Sequence, residues 1–181
     1  MKNLKLLALI VFGAIAVTFT ACDKATSLAD VTFDATLSTT MDATSASETR
    51  AADFAFSGSS VIDPTSDDNI KKYWDNIKNW NIQKITLKVQ TINPDANLTE
   101  GHLTVKDNDT QAVLYTADAN ALALTAGTTI LEVTDGDWAS IVSALNAQHS
   151  LLVAVDGAVD QPDVAITFGV VIDLKVTANP L

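Results

Sequence analysis

Two carboxylates in the middle of this sequence are spaced as they would be in a calcium-binding loop. Asp107-Asn108-Asp109 places acidic residues at the first and third positions of such a loop, and Asp118 stands at the twelfth. The sixth position is Ala112, where a calcium loop needs glycine for its sharp turn. We therefore expect a plain hairpin turn at these residues, with calcium binding by Asp107 and Asp109 as the alternative.

A second acidic loop is also a candidate for calcium binding, and it too lacks the full pattern of a calcium-binding loop. It holds Asp156, Asp160 and Asp163 and contains no complete calcium-loop pattern. The two histidines fall in different predicted elements and give no zinc-ligand spacing. His102 alternates outward in a strand, so we expect it to be exposed, and His149 follows a helix, where an imidazole suits the negative end of the helix dipole.

No constellation in the sequence indicates an enzyme or a cofactor site. Phosphate-binding GxGxxG and GxxxxGK motifs and the redox motif CxxC are missing, and Cys22 is the only cysteine. Nothing places a nucleophile beside a histidine, and no pair of carboxylates has specific support as a glycosidase site. The sequence therefore predicts a protein that is not an enzyme and holds no cofactor.

Four aromatic residues could offer a stacking face to a glycan or peptide: Tyr73, Trp74, Trp80 and Trp138. The alternative is that these aromatics are ordinary core residues, because Tyr73 and Trp74 share helical spacing with Ile70 while lysines occupy the other face of the helix. We expect the aromatic pair to be a buried stripe that caps a sheet. Any of the four that stays exposed would support glycan or peptide binding.

The elements that must position these residues are mostly strands. Alternation of apolar and polar residues with a period of two predicts about eight strands, at residues 31–38, 54–61, 82–90, 103–105, 113–115, 130–133, 151–155 and 164–176, and a weaker one at 122–124. The segment 39–52 is rich in Ser, Thr and Ala without a period and predicts a loop. No βαβ rhythm is visible, so we predict an all-β antiparallel β-sandwich, Ig-like or jelly-roll-like.

Two short amphipathic helices are predicted in the connections between strands. The first covers residues 67–79 and begins at Ser66 or Asp67, whose side chains can cap it. The second opens at residues 134–137 and places Trp138 and Ile141 on one face. Both are expected to cap the sandwich.

Composition limits the possible partners. The 181-residue chain has 11 basic and 22 acidic residues, a net charge of −11 that becomes −13 if residues 1–21 are removed. Nucleic acid is excluded as a partner, because its binding depends on Lys and Arg contacts to phosphates. The length suits one domain, and the single cysteine leaves no intramolecular disulfide, so the fold must depend on packing.

The first twenty-two residues combine three features of an export signal. Lys2 and Lys5 give a basic start, residues 6–19 are an almost unbroken apolar run, and Phe19-Thr20-Ala21-Cys22 ends it with small residues. The apolar run is shorter than the roughly 20 residues that span a bilayer. The pattern predicts a signal peptide at residues 1–21.

This segment resembles a bacterial lipoprotein precursor of the Bacteroidota type. The resemblance implies that Cys22 becomes the lipidated first residue, carrying acyl chains such as palmitate, although Phe19 stands where Leu is usual. Residues 22–29 would then be a tether and residues 30–181 a single domain. The implied partner is the membrane, and we expect the outer membrane rather than the inner one.

We expect a non-enzymatic structural or binding role in the cell envelope, and two alternatives stay open. One is a surface lipoprotein that binds a glycan or a peptide. The other rests on Arg50, the only arginine, which lies in a Ser- and Ala-rich stretch. The layout is similar to that of fimbrial subunits of Bacteroidota, which would be processed after Arg50 and polymerise by strand donation.

Overall fold

The computed structural model describes residues 30–47 and 53–179, which fold into two antiparallel sheets packed face to face. The strands of the described part are β1 (Val31–Thr44), β2 (Phe54–Ile62), β3 (Ile77–Asn93), β4 (Ala96–Asp107), β5 (Val113–Ala119), β6 (Leu122–Leu124), β7 (Thr129–Val133), β8 (Leu151–Val159) and β9 (Ala165–Ala178). The α-helices of the described part are α1 (Asp68–Tyr73) and α2 (Ala139–Asn146), and short 3-10 turns at Pro64–Ser66 and Trp74–Asn76 flank α1. The predicted all-β antiparallel sandwich is confirmed.

The strand order is that of a jelly roll. Sheet A has the order β1-β9-β3-β7, and sheet B has the order β2-β8-β4-β5, with β6 paired to β4. The pairs are nested along the chain, because β1 pairs with β9, β2 with β8, β3 with β7, and β4 with β5. This nesting is that of one long antiparallel hairpin rolled into two sheets, so the jelly-roll alternative holds rather than the Ig-like one.

The core lies between the sheets and is built from alternating side chains. In β9 the inward residues, from Ile166 to Val176, are at most 2% exposed, as the perfect period of two in the sequence requires. Each such side chain contributes about 1.5–3 kcal/mol by leaving water. β9 pairs with β1 over fourteen residues without a register shift, and its other edge pairs with β3.

Irregular pairing is concentrated in β3. Its register against β9 shifts at three places, each with one extra residue on β3. One of these is Gln90, whose side chain lies where a Cβ on Gly169 would stand, only 2.4 Å from the Gln90 Nε2 atom. β9 itself keeps its alternation, and Gly169 leaves room for the bulged residue on the neighbouring strand.

Several boundaries differ from the predictions: the strand predicted at 103–105 is β4, which begins at Ala96, and the second helix begins at Ala139 rather than at 134–137. The loop predicted at 39–52 is wrong for its first six residues, because β1 continues to Thr44 and buries Met41 and Ala43 against the core. Thr39 occupies the inward position between Leu37 and Met41, so a polar residue interrupts the apolar alternation there. The helix predicted at 67–79 is also too long, since α1 ends at Tyr73 and Ile77 already pairs with Ala178 at the start of β3.

Both helices lie at one end of the sandwich, which we call the helix end. The first residue of β1, Val31, pairs there with the last residue of β9, Ala178, and Lys78 binds Asp30 at 2.8 Å. Ile62, where β2 ends, and Leu151, where β8 begins, mark the same end of sheet B. Within the described residues, no helix has the length and apolar character needed to cross a membrane.

Candidate functional site

The structure brings together two carboxylates and an imidazole at the helix end, which we call the His149 cluster: Asp107, Asp109 and His149. Asp107 is the last residue of β4, and Asp109 follows in the turn before β5. His149 lies just before β8 and comes close because Asp107 pairs with Leu151. One ligand atom from each of the three residues lies within 4.8 Å of the others.

Asp107 is the centre of the cluster. Its side chain is buried, and its Oδ1 accepts the backbone N–H groups of Asp109 at 2.8 Å and Thr110 at 3.0 Å. Its Oδ2 lies 2.7 Å from the His149 Nδ1. The hydrogen bond with His149 lowers the pKa of Asp107 to about 2; desolvation opposes the shift, and the two backbone N–H groups support it.

The imidazole of His149 is oriented by this contact. The hydrogen bond to Asp107 raises the pKa of His149, and partial burial opposes the shift. Because the Asp107 carboxylate accepts, Nδ1 carries the N–H, and Nε2 is the nitrogen left with a lone pair in the neutral ring. The His149 Nε2 lies 3.9 Å from the Asp109 Oδ2.

A cleft of about 370 Å³ opens beside the cluster, between the start of β5 and α2. Ser140 and Ser143 of α2 and the exposed Val113 line it together with Asp107 and His149. A hydrolytic site would need a hydroxyl nucleophile hydrogen-bonded to the imidazole. The His149 Nε2 instead lies near a second carboxylate, an arrangement suited to holding a cation.

The predicted hairpin turn at Asp107 is present. Asp118, which would be the twelfth-position ligand of a calcium-binding loop, does not belong to the His149 cluster. Asp118 lies on β5 and is 83% exposed, with its Oδ1 2.7 Å from the Nδ1 of His102. His102 is exposed, as its outward alternation suggested. The hydrogen bond with Asp118 raises the pKa of His102, and Asp156, opposite it on β8, acts in the same direction.

The second acidic loop does not gather its aspartates into a cluster among the described residues. Asp160 instead accepts hydrogen bonds from the backbone and side-chain N–H groups of Asn97, at 2.8 and 2.7 Å. These bonds lower the pKa of Asp160. The carboxylate therefore ties the loop after β8 to the start of β4.

The four candidate aromatics are largely engaged with other rings. Trp80 is only 4% exposed and offers no free stacking face, and the half-buried Trp74 meets it edge to face at 6.2 Å. Tyr73 and Trp138 are also half-buried, and they contact the rings of Phe33 at 5.6 Å and Tyr115 at 4.9 Å, respectively.

A small cavity of about 170 Å³ borders Trp74 and Trp80, and we call it the Trp cavity. Its lining also includes Asp75, Asn146 and Gln148. Two other predicted functional residues, Cys22 and Arg50, lie outside the described residues.

Sequence reasoning found Asp107 and Asp109 but missed His149 as their partner. The two parts of the site are 42 residues apart in the chain, and they meet through the register between β4 and β8. The only signal in the sequence was that His149 lies two residues before a predicted strand.

The fold and the site define an antiparallel β-sandwich of jelly-roll topology with an imidazole–carboxylate cluster at one end. No protein-family model matches the chain, and no curated protein matches it significantly. Among solved structures it is similar to the decameric BFDV capsid protein, with 8% identity, a TM-score of 0.46, and coverage of 81% of this chain and 99% of that one.

Two further similar structures come from a virus and a bacterium. The Cocksfoot mottle virus structure has 10% identity, a TM-score of 0.28, and coverage of 82% of this chain and 84% of that one. The family 11 carbohydrate-binding module of Clostridium thermocellum has 8% identity, a TM-score of 0.24, and coverage of 82% and 88%. At these values the similarities say nothing about the ligand or activity of this chain.

Proposed function

We propose that the protein is a non-enzymatic binding or structural module of the cell envelope, held at a membrane by lipid on Cys22. The observation that supports this proposal is the order of features along the chain. A basic start, an apolar run and a cysteine after small residues are followed, nine residues after Cys22, by the first strand of a jelly roll. More than one acyl chain on the cysteine makes such anchoring stable.

The anchor would set the orientation of the domain. Residues 22–29 can span at most about 26–29 Å, at roughly 3.3–3.6 Å per residue. Val31 lies at the helix end, so this end and the His149 cluster would lie toward the membrane. The opposite end, with the β3–β4 turn and the loop after β8, would lie away from it and is the part best placed to meet other molecules of the envelope.

Replacing Cys22 with serine tests the anchor. Cells fed labelled palmitate should label the wild-type protein and carry it in the membrane fraction, whereas Cys22→Ser should lose both the label and the membrane association. Phe19→Leu is the matched control, because it introduces the more usual residue and should keep both. A Cys22→Ser protein that stays labelled and membrane-bound would overturn the proposal.

Binding of a single sugar residue is a second candidate function, and the Trp cavity is the observation that favours it. Indole edges, a carboxylate and two amide side chains are groups that contact sugars, and all of them line this cavity. Its volume of about 170 Å³ is below the roughly 300–1,000 Å³ of typical ligand pockets, so one ring is the largest fitting ligand. A bound sugar residue would therefore lie in the Trp cavity, at the helix end of the domain.

Tryptophan fluorescence and saturation-transfer NMR with a panel of monosaccharides would test this candidate. Binding that is lost in Gln148→Ala and retained in Trp138→Ala supports it, because Gln148 lines the cavity and Trp138 does not. The absence of binding across the panel would remove the candidate and would leave the anchoring proposal unaffected.

A further inference from the structure

The His149 cluster has the internal arrangement of an imidazole prepared to bind a metal ion. Metal-binding histidines usually donate the N–H of one ring nitrogen to a carboxylate, which fixes the ring and directs the other nitrogen at the metal. His149 donates from Nδ1 to Asp107 in this way, at 2.7 Å. Its Nε2 then faces the Asp109 carboxylate at 3.9 Å.

This separation suits two ligands of one ion after a small adjustment. Two ligand atoms bound at about 2.0–2.1 Å and at a tetrahedral angle lie roughly 3.4 Å apart. Asp109 can supply the remaining half ångström by rotation, because its side chain is 54% exposed. Asp107 is unsuited to move, since it is buried and its two oxygens hold the turn and the imidazole.

We propose that His149 Nε2 and Asp109 bind a divalent transition-metal ion of the zinc class, with Asp107 as the positioning residue. An imidazole ligand favours zinc, copper or nickel over calcium, which takes oxygen ligands. The site opens to the cleft beside α2, so water can complete the coordination. This site is independent of the lipid anchor and of the Trp cavity.

The chain provides its own control for an experiment. It has only two histidines, and His102 also has its Nδ1 2.7 Å from a carboxylate, that of Asp118. The cluster of three potential metal ligands is at His149, however, and His102 belongs to no such cluster in the part of the chain that the structure describes. A metal ion should therefore discriminate between two imidazoles that are otherwise similarly hydrogen-bonded.

The test is a Zn²⁺ titration of the purified protein, made without a polyhistidine tag and followed by imidazole ¹⁵N NMR and calorimetry. We expect one Zn²⁺ per chain, a shift of the His149 Nε2 resonance and no comparable shift of His102. A tenfold excess of Ca²⁺ should not displace the Zn²⁺. Equal shifts of the two imidazoles, or displacement by Ca²⁺, would overturn the proposal.

Three variants separate the roles of the residues. Asp109→Asn should weaken Zn²⁺ binding at least about tenfold, because it removes a charged ligand, while Asp118→Asn should leave the affinity unchanged. Asp107→Asn should weaken it by about 10–100-fold, which is the usual effect of losing the carboxylate behind a histidine ligand. If Asp107→Asn fails to fold, the exposed Asp109 decides the question: wild-type affinity in Asp109→Asn refutes the site.

Discussion

Replacing Gly157 with alanine should destabilise this sandwich more than almost any other change of one methyl group. Gly157 lies on β8 opposite Gly101 of β4, with Phe56 of β2 on its other side. A Cβ on Gly157 would stand 2.3 Å from the backbone carbonyl oxygen of Glu100 and 3.0 Å from both the Gly101 Cα and the Phe56 ring. The obstacle is thus mainly backbone, which a side-chain rotation cannot remove.

The expected cost follows from what has to move. Overpacking a core by a methyl group costs about 1–3 kcal/mol when side chains can adjust, and here β4 itself must shift within sheet B. We expect the free energy of unfolding to fall by about 2–4 kcal/mol. For a domain of this size, each kcal/mol lowers Tm by roughly 2–4 °C.

Gly169→Ala is the matched control. It is also a buried glycine in a strand and also lacks a positive φ, but the three atoms nearest its added Cβ all belong to the flexible side chain of Gln90 and none to backbone. Alanine is favoured over glycine in a strand by roughly 0.5–1 kcal/mol, so Gly169→Ala should stay within about 1 kcal/mol of wild type.

Urea denaturation followed by circular dichroism and tryptophan fluorescence measures both variants, with equal m-values as the test that the folded and unfolded states are comparable. Coincident curves from the two probes would support a two-state analysis. A Gly157→Ala protein within 0.5 kcal/mol of wild type, or one more stable than Gly169→Ala, would refute the reasoning from backbone overlap.

Three further predictions concern single side chains. Asp118→Asn should lower the pKa of His102, measured by NMR, toward 6.5, and an unchanged pKa would contradict this prediction. Because the pKa of His102 is raised in the folded wild type, the His102–Asp118 pair stabilises the fold fully below pH 6.5 and loses this effect as the pH rises through the folded-state pKa. Ser45→Ala should cost about 1–3 kcal/mol in a urea titration, because it removes the hydroxyl that accepts the buried N–H of Val164 at 2.8 Å. Phe168→Ala should cost about 3–5 kcal/mol by the same assay, since this fully buried ring packs between the sheets, and a loss below 1 kcal/mol would show that the site collapses.

The fold could be predicted from the sequence where one face of a strand is core and the other is not. In β9 every second residue from Ile166 to Val176 is apolar, and the alternation directly predicts the buried face. The choice between Ig-like and jelly-roll order could not be made, because strand order depends on pairings between distant segments. Nothing in the sequence around Val31 and Ala178 indicates that these two residues pair between strands β1 and β9.

The candidate site was only half predictable for the same reason. The turn at Asp107 is local chemistry, since its carboxylate accepts N–H groups two and three residues ahead. The contact of Asp107 with His149 depends instead on the register between β4 and β8. Elsewhere, the helical spacing of apolar residues up to Ile77 concealed the start of strand β3. The periodicity of a sequence shows which face of a strand is buried, but the residues of a site are brought together by the register between strands.

The nested pairing also sets an order of assembly. The partners in the β4–β5 hairpin are as few as 7 residues apart, whereas those of β1 and β9 are 121 to 147 apart. Because closing a longer loop loses more chain entropy, we expect the hairpin to form early and β1 to dock last. Until then β9 would present an open edge that other chains can pair with. Under the proposed lipidation of Cys22, the strand that follows the anchor would also be the one that completes the sandwich, so folding and attachment to the envelope would be coupled at the same end of the molecule.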